Sequence, residues 1–217
     1  MSATYAAGPS WTALGSCEGA SGFYGFSYNV NVKSLVWYVP ENFEDLGYDV
    51  PDSMEGLRAL TEQMVADDVT PWCIGIGSGA ATGWPATDWV EDLLLRTQPP
   101  EVYDDWVTNQ IAFDDPRIVA AIEEFGWFAR NDAFVSGGAS AVAATDFRDS
   151  PLGLFSAPPQ CMMHRQASFI PAFFPDGTNV GEDVDFFYFP AYESAELGNP
   201  VLCESRRQNA HRNGLMI

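Results

Sequence analysis

The chain has 217 residues, of which 47% are hydrophobic, so it can build one large domain or two small ones and is not an intrinsically disordered protein. It carries 30 Asp and Glu residues against 10 Lys and Arg residues, a formal net charge of −20. A charge of this sign repels nucleic acid and anionic membrane surfaces, so neither is expected as a partner. The apolar runs are too short to cross a bilayer, so no membrane insertion is expected either.

The amino-terminal part predicts an irregular start followed by strand structure. Residues 1–22 are small, polar and Gly-rich, without the basic start and apolar stretch of a signal peptide. Residues 23–39 alternate and are rich in aromatic and β-branched side chains, which predicts one long strand or two consecutive strands. Pro40 ends this run, and a loop is expected over residues 41–52.

Two amphipathic helices are predicted from apolar side chains at helical spacing, one over residues 54–66 and one over residues 116–130. The second begins with Pro116, a residue that favours the first position of a helix. Each helix is preceded by candidate capping side chains: Asp52 or Ser53 for the first, and Asp114 or Asp115 for the second.

Between these helices lies a strand–loop–helix unit. Residues 72–76 are a short apolar strand, and residues 77–83 form a loop of small residues. A helix follows Trp84 and Pro85. Such a unit presents backbone N–H groups and a positive dipole end at the edge of a sheet, which is where open α/β sheets bind ligands.

The remaining elements are short. Helices alternate with strands and no internal repeat is present, which predicts an α/β fold with more helix than strand. Residues 203–217 are polar and aperiodic. The other predicted elements are helices at 102–109 and 138–145, strands at 160–163 and 184–189, and a short helix or strand at 167–174.

The four cysteines do not form a metal site, because none belongs to a CxxC pair and the chain has only two histidines. Cys73 and Cys161 both lie in apolar, strand-like runs. Two alternatives stay open for them: a disulfide in an oxidising compartment, or two buried free thiols. The Gly-rich loop lacks the Lys and the spacing of a phosphate loop or a dinucleotide fingerprint, so no cofactor is expected.

Catalytic patterns are weak. Acidic residues occur in adjacent pairs, but neighbouring residues on a helix point in different directions and cannot face each other across a glycosidic bond. Ser156, Ser168 and His164 do not sit in a nucleophile-elbow pattern. No catalytic residue is therefore predicted.

The side chains near the strand–loop–helix unit suit a neutral polyol. Trp84 and Phe169 can stack on the face of a sugar. The structural alternatives are that Trp84 packs in the core and that Asp88 only caps its helix. The candidates for hydrogen bonds to sugar hydroxyls are Ser78, Thr82, Asp88, Arg148 and Gln166.

Several longer motifs resemble one family. They are YNVNVKSLVWY, VPDSMEGLRALTEQM, GWPATDWVEDLLLRTQPPEVYDDW, FRDSPLGLFSAPPQCMMHRQASF and GEDVDFFYFPAYESAELGNPVL, spread between Tyr24 and Leu202. Together they resemble the extracellular solute-binding proteins of carbohydrate ABC transporters, most closely the α-glucoside-binding type.

The resemblance implies two α/β lobes that close on a sugar, without chemistry on the ligand, and delivery to the permease subunits of an ABC transporter in the periplasm or outside the cell. It implies that residues 23–202 are one lobe of a periplasmic-binding-protein type II fold, the second lobe, with hinge-crossing strands. It places Ser78–Trp84 and Gln166–Phe169 on the cleft wall. Residues 203–217 do not fit the family pattern. The chain is therefore expected to be a monomeric fragment with weak sugar binding. The alternatives are a glycoside hydrolase and a structural module without a ligand.

Overall fold

The computed structural model describes residues 27–194 and 203–207. The chain divides into two compact units, residues 1–31 with 203–217 and residues 32–202. In the first unit, β1 (Ser27–Val32) pairs with β5 (Cys203–Arg207). Strand β5 lies in a stretch for which the sequence predicted no regular element. The predicted irregular start, residues 1–22, lies outside the described residues.

The second unit carries the described helices, and most of them lie where the sequence predicted them. Helix α2 has the predicted bounds, and the Ser53 hydroxyl caps it by accepting a hydrogen bond from the Gly56 amide at 3.1 Å. Asp115 caps α5, with Pro116 at its first position. The helices are α1 (Pro40–Leu46), α2 (Met54–Ala66), α3 (Trp84–Thr97), α4 (Pro100–Val107), α5 (Pro116–Ala129) and α6 (Ala141–Ala144).

The loop predicted over residues 41–52 is wrong in its first half, because α1 begins at Pro40. Proline can end a strand, but its fixed backbone angle and missing N–H also suit the first position of a helix. Glu41 lies in the first turn, where a carboxylate favours the positive end of the helix dipole. Gly47 ends α1 in the left-handed conformation, with φ of 71°.

The central sheet has three antiparallel strands in the order β3 (Met163–Arg165), β2 (Leu35–Tyr38), β4 (Asp185–Tyr188). The predicted strand at 160–163 is thus displaced towards its carboxyl end. The predicted element at 167–174 is a short 3-10 helix over Ile170–Phe173.

The strand predicted over residues 72–76 is wrong as a regular element, because the segment pairs only through isolated bridges. Trp72 bridges both Val135 and Met163, and Gly77 bridges Asp146. The segment shares its amide and carbonyl hydrogen bonds among β3, residues 134–147 and Gly83. It therefore continues the sheet beyond β3 without forming a ladder.

Apolar side chains pack on both faces of this sheet, because successive residues of a strand point to opposite faces. Val36 belongs to the larger core, which includes apolar residues of α2, α3 and α5. Leu35 and Trp37 belong to a smaller core with Phe174 and the two cysteines Cys73 and Cys161. Strand β2 is therefore buried on both sides.

Helix α3 is attached to the sheet by a buried carboxylate. Asp92 is fully buried, and its Oδ1 atom accepts a hydrogen bond from the Ser34 hydroxyl at 2.9 Å. The same carboxylate forms ion pairs with Arg96, one turn along the helix, and with Arg165 of β3. Both arginines are buried, so a single carboxylate lies between two guanidinium groups in the core.

The two arginines also satisfy backbone carbonyls around the cluster. The Arg96 guanidinium donates to the carbonyl oxygens of Phe189 and Pro190, which follow β4. The Arg165 guanidinium donates to the Asp88 carbonyl oxygen at 2.9 Å. One helix and the ends of all three strands of the sheet are therefore joined by one set of charged hydrogen bonds.

A disulfide joins Cys73 to Cys161, with 5.4 Å between their Cα atoms and 88 residues between them in sequence. Next to it, the buried His164 ring donates from Nδ1 to the Cys73 carbonyl oxygen at 2.8 Å. Its Nε2 atom has no hydrogen-bond partner in the part of the chain that the structure describes. Burial, assisted by the nearby Arg165 charge, lowers the pKa of His164 from 6.5 to about 4, although the Cys73 carbonyl opposes this change.

Replacing Asp92 with Asn should destabilise the fold strongly. Two buried guanidinium groups would lose their counter-charge, and breaking a buried ion pair costs about 3 to 5 kcal/mol. Urea unfolding followed by circular dichroism measures the change. The matched control is Glu62→Gln, which removes an exposed acid of α2 and should change the free energy of unfolding by less than about 0.5 kcal/mol. Equal effects of the two substitutions would contradict a structural role for the cluster.

The buried His164 should make the fold less stable as the pH falls below 6.5. In the unfolded chain the imidazole binds a proton near pH 6.5, whereas in the folded chain it does so only near pH 4. The unfolded state therefore holds more protons in this window, and the loss by pH 4 is on the order of 3 kcal/mol. Urea unfolding from pH 7.5 to 4 measures it.

His164→Asn is the control for this pH dependence, because its side-chain amide can still donate to the Cys73 carbonyl but does not titrate. The difference in unfolding free energy between wild type and variant isolates His164 from the many carboxylates that titrate in the same range. A difference that stays constant with pH would show that His164 does not contribute.

Candidate functional site

The candidate site is built at the amino end of α3, where the loop of small residues ends. Gly83 precedes the helix with φ of 110°, a backbone conformation that favours glycine. Its amide donates to the Ile76 carbonyl oxygen at 2.9 Å, which closes the loop on itself. Trp84 is the first residue of α3 and is only partly buried. The loop therefore fixes the position of this indole at the protein surface.

Three aromatic rings meet at this point. The Trp84 ring lies 5.0 Å from the Phe147 ring, edge-on at 72°, and 5.9 Å from the Phe169 ring, tilted by 49°. Phe147 is buried, whereas Trp84 and Phe169 are partly exposed. The two residues predicted to stack on a sugar are therefore neighbours, although they come from segments 85 residues apart (169 − 84).

A buried ion pair lies beneath the indole. The Lys33 ammonium contacts the Asp88 carboxylate at 2.7 Å and lies 4.9 Å from the centre of the Trp84 ring. Asp88 stands one helical turn after Trp84, so both side chains are on the same face of α3. Burial and the Asp88 charge raise the pKa of the neighbouring Glu91 carboxyl. The site thus has a charged floor that is largely shielded from solvent.

The loop and Arg148 lie side by side. The Phe147 amide donates to the Gly77 carbonyl oxygen at 2.9 Å, which holds residues 146–148 against the start of the loop. Arg148 is exposed, forms an ion pair with Asp146 and places its guanidinium carbon 4.7 Å from the centre of the Phe147 ring. Of the seven predicted ligand-binding residues, Arg148 presents the most accessible charge.

The hydroxyl of Thr82 is used within the loop. It donates to the Gly79 carbonyl oxygen at 2.8 Å and accepts a hydrogen bond from the Ser78 amide at 3.0 Å. Thr82 is exposed and Ser78 is partly exposed. Both can still reach a solute, since a hydroxyl oxygen has a second lone pair.

Gln166 is not brought to the surface of this site. It is buried on the segment after β3, and its side-chain oxygen accepts a hydrogen bond from the Ala167 amide at 2.8 Å. Its carbonyl oxygen accepts from the Trp37 indole at 2.9 Å. A hydroxyl contact by Gln166 would therefore require this segment to move, and its predicted role stays a prediction.

Sequence reasoning did not select Lys33 or Phe147. Lys33 is the only lysine of the chain and interrupts a strand-like apolar run. A single charged residue in such a run was the sequence feature that could have identified it. Phe147 adjoins Arg148, but nothing local indicates that its ring supports Trp84 from a distant segment.

A separate cavity of about 220 Å³ lies beside the disulfide. None of the seven predicted ligand-binding residues lines it, so it is distinct from the candidate site. Within residues 27–194 and 203–207, no group of three or more His, Cys, Asp or Glu side chains is placed to hold a metal ion. In the same ranges no helix has the length and apolar character needed to cross a bilayer.

The second unit combines helices and a short antiparallel sheet with partly exposed aromatic rings at a helix end, an arrangement that fits the class of solute-binding proteins. The chain belongs to the family of bacterial extracellular solute-binding proteins, whose family model matches residues 4–197. The resemblance inferred from the sequence motifs is thereby confirmed for the family.

Two curated relatives are closely similar. The chain is 68% identical over 202 residues to the alpha-glucosides-binding periplasmic protein AglE of Rhizobium meliloti (strain 1021), which covers 91% of this chain and 44% of AglE. It is 45% identical over 193 residues to the osmoprotective compounds-binding protein GgtB of Synechocystis sp. (strain ATCC 27184 / PCC 6803 / Kazusa), covering 88% of this chain and 45% of GgtB. The chain spans less than half the length of these relatives.

Solved structures agree on the fold. A chitin oligosaccharide binding protein superimposes with a TM-score of 0.73 at 18% identity, over 90% of this chain and 46% of its own. The bacterial solute receptor AcbH superimposes with a TM-score of 0.68 at 23% identity, over 89% of this chain and 46% of its own. At these identities the likeness shows the fold alone, which is one lobe of the type II periplasmic-binding-protein fold.

Proposed function

We propose that this chain is part of a solute-binding protein that binds an α-glucoside or a related oligosaccharide and delivers it to the permease subunits of an ABC transporter. Binding is reversible and involves no chemistry on the sugar. The proposed place of action is the periplasm or the outside of the cell.

The observation that carries this proposal is the partly exposed pair formed by Trp84 and Phe169. Aromatic rings offer the apolar face that a pyranose ring needs, and the Phe147 ring, which packs against both, holds these two rings in position. Arg148 and the loop from Ser78 to Thr82 supply polar groups beside these rings. A flat apolar surface with polar groups at its edge suits a neutral sugar.

Two further findings support the proposal. The relative AglE, which is 68% identical, is named for binding alpha-glucosides in the periplasm. The Cys73–Cys161 disulfide also fits an oxidising compartment, because disulfides persist outside the reducing cytoplasm.

We propose that the 217 residues supply one wall of the sugar cleft. Residues 23–202 would be the second lobe with its hinge-crossing strands, and residues 203–217 would lie outside the family pattern. Ligand sites usually bury most of the ligand surface, so a single wall holds a sugar weakly. We expect the chain to be monomeric and, at a net charge of −20, not to bind nucleic acid.

Asp88, the acidic residue one helical turn from Trp84, is not placed to serve the hydrolase alternative. Asp88 is buried and its carboxylate contacts Lys33, so it does not face a position where a glycosidic oxygen could lie. A general acid needs to be within hydrogen-bond reach of the leaving group. The binding proposal needs no such group.

The isolated chain should bind maltose with a dissociation constant weaker than about 1 mM, because only one wall of the proposed cleft contacts the sugar. Saturation-transfer NMR detects binding in this range. The transfer to maltose should be lost in Trp84→Ala, which removes the larger stacking surface.

Trp106→Ala is the matched control, since it removes another partly exposed indole on a different helix. Saturation transfer should persist in this variant, and thermal melts should show that both variants are folded. Transfer that survives in Trp84→Ala would contradict the proposed site. Calorimetric binding at 1 mM or tighter by the isolated chain would contradict the single-wall proposal.

A further inference from the structure

The one lysine of this chain lies under the proposed sugar-binding ring. Lys33 is 4% exposed, although lysine is among the residues that most rarely leave the surface. It comes just before β2, whereas Trp84 and Asp88 are on α3. The close approach of these groups therefore depends on how α3 packs against the sheet.

The geometry joins three groups in a chain of contacts. The Lys33 ammonium is held by the Asp88 carboxylate at 2.7 Å and lies 4.9 Å from the centre of the Trp84 ring. A cation within about 6 Å of an indole centre is attracted by the negative face of the ring. The attraction has a direction, so it favours one orientation of the indole.

Asp88 anchors the cation in this chain of contacts. Its residue is 8% exposed, and the Oδ2 atom is engaged by the ammonium. Its backbone carbonyl is tied to Arg165 of the buried cluster. The hydroxyl contact predicted for Asp88 stays a prediction, and the structure places its carboxylate against the cation that lies near Trp84.

We propose that Lys33 is a positioning residue that sets the orientation of the Trp84 indole, and that Asp88 acts on Trp84 only through Lys33. The importance of this orientation for a sugar rests on the proposed function, whereas the orientation itself does not. Phe147 and Phe169 contact the Trp84 indole as well and also restrict its movement. Lys33 would thus complete a preorganised surface, which lowers the entropy lost on binding.

The first test observes Trp84 directly. The chain is labelled with 5-fluorotryptophan, and Trp84→Phe assigns the Trp84 signal among those of the 7 tryptophans. The ¹⁹F spectrum is then compared for Lys33→Met, Asp88→Asn and the double variant. Lys33→Arg, which keeps the cation, is the matched control.

The Trp84 signal should move by more than its linewidth in Lys33→Met and in Asp88→Asn. In the double variant it should move as far as in Lys33→Met alone, because a group that acts only through another adds nothing once that other is gone. Lys33→Arg should move it least. Single variants leave a buried charge without its counter-charge and can unfold, so the double variant, which removes both charges, is the deciding one.

A second measurement needs no substitution of Lys33. With one lysine in the chain, ¹³C-lysine labelling gives a single side-chain signal set, and the ring current of Trp84 should displace its ε-methylene signal. Trp84→Phe should reduce that displacement. An undisplaced ε-methylene signal in the wild type, or a Trp84 ¹⁹F signal that keeps its wild-type position in the folded double variant, would overturn the proposal.

Addition of maltose separates this proposal from the proposed function. If maltose leaves the Trp84 signal of the wild type unchanged while Lys33→Met displaces it, the proposed function fails and the positioning role stands. In the opposite case, the double substitution leaves the Trp84 signal at its wild-type position, and maltose then moves this signal equally in the wild type and in the folded double variant. The proposed function then stands and the positioning role fails.

Discussion

The carboxylate of Asp92, buried between two arginines, is the interaction on which the rest of this lobe depends. Moving charges out of water is expensive, and the attraction between them compensates only when every group has its partners. Arg96 meets that condition through the Phe189 and Pro190 carbonyls, and the Asp92 carboxylate meets it through Ser34 and both guanidinium groups. Arg165 meets it less fully, because its Nε atom has no hydrogen-bond partner among the described residues. Such a cluster tolerates little displacement, so it fixes α3 against the sheet more narrowly than apolar packing alone.

The position of Trp84 follows from this constraint. Asp92, Asp88 and Trp84 are spaced by four residues along one face of α3, so each stands one turn from the next. The innermost member binds the sheet, the middle one binds Lys33, and the outermost carries the partly exposed ring. Because a helix is rigid, fixing α3 against the sheet also fixes the position of its first residue, Trp84. The proposed sugar surface is therefore set from within the core and not by the loop alone.

Local sequence patterns predicted much of this fold but little of the site. The site depends on contacts between residues that are far apart in the sequence. The helix over residues 54–66 has its apolar period and its cap within one short window, and its bounds were found from the sequence. By contrast, Lys33 and Asp88 are 55 residues apart, and no local rule joins them. The sequence offered Asp88 as a ligand for a sugar hydroxyl or as a helix cap. Its burial comes from the packing of α3 on the sheet, which overrides the local prediction.

The buried cluster also affects how the site meets its solute. Lys33, Arg96 and Arg165 are three of the 10 basic residues in the chain, and all are paired with Asp88 and Asp92 in the core. These five residues carry no acidic surplus of their own, so the whole surplus belongs to the remaining residues, and it repels anionic solutes from the lobe. A neutral sugar feels no net force in this field and is held by contact alone. The field thus favours uncharged over anionic solutes before any hydrogen bond forms, and salt weakens that preference by screening.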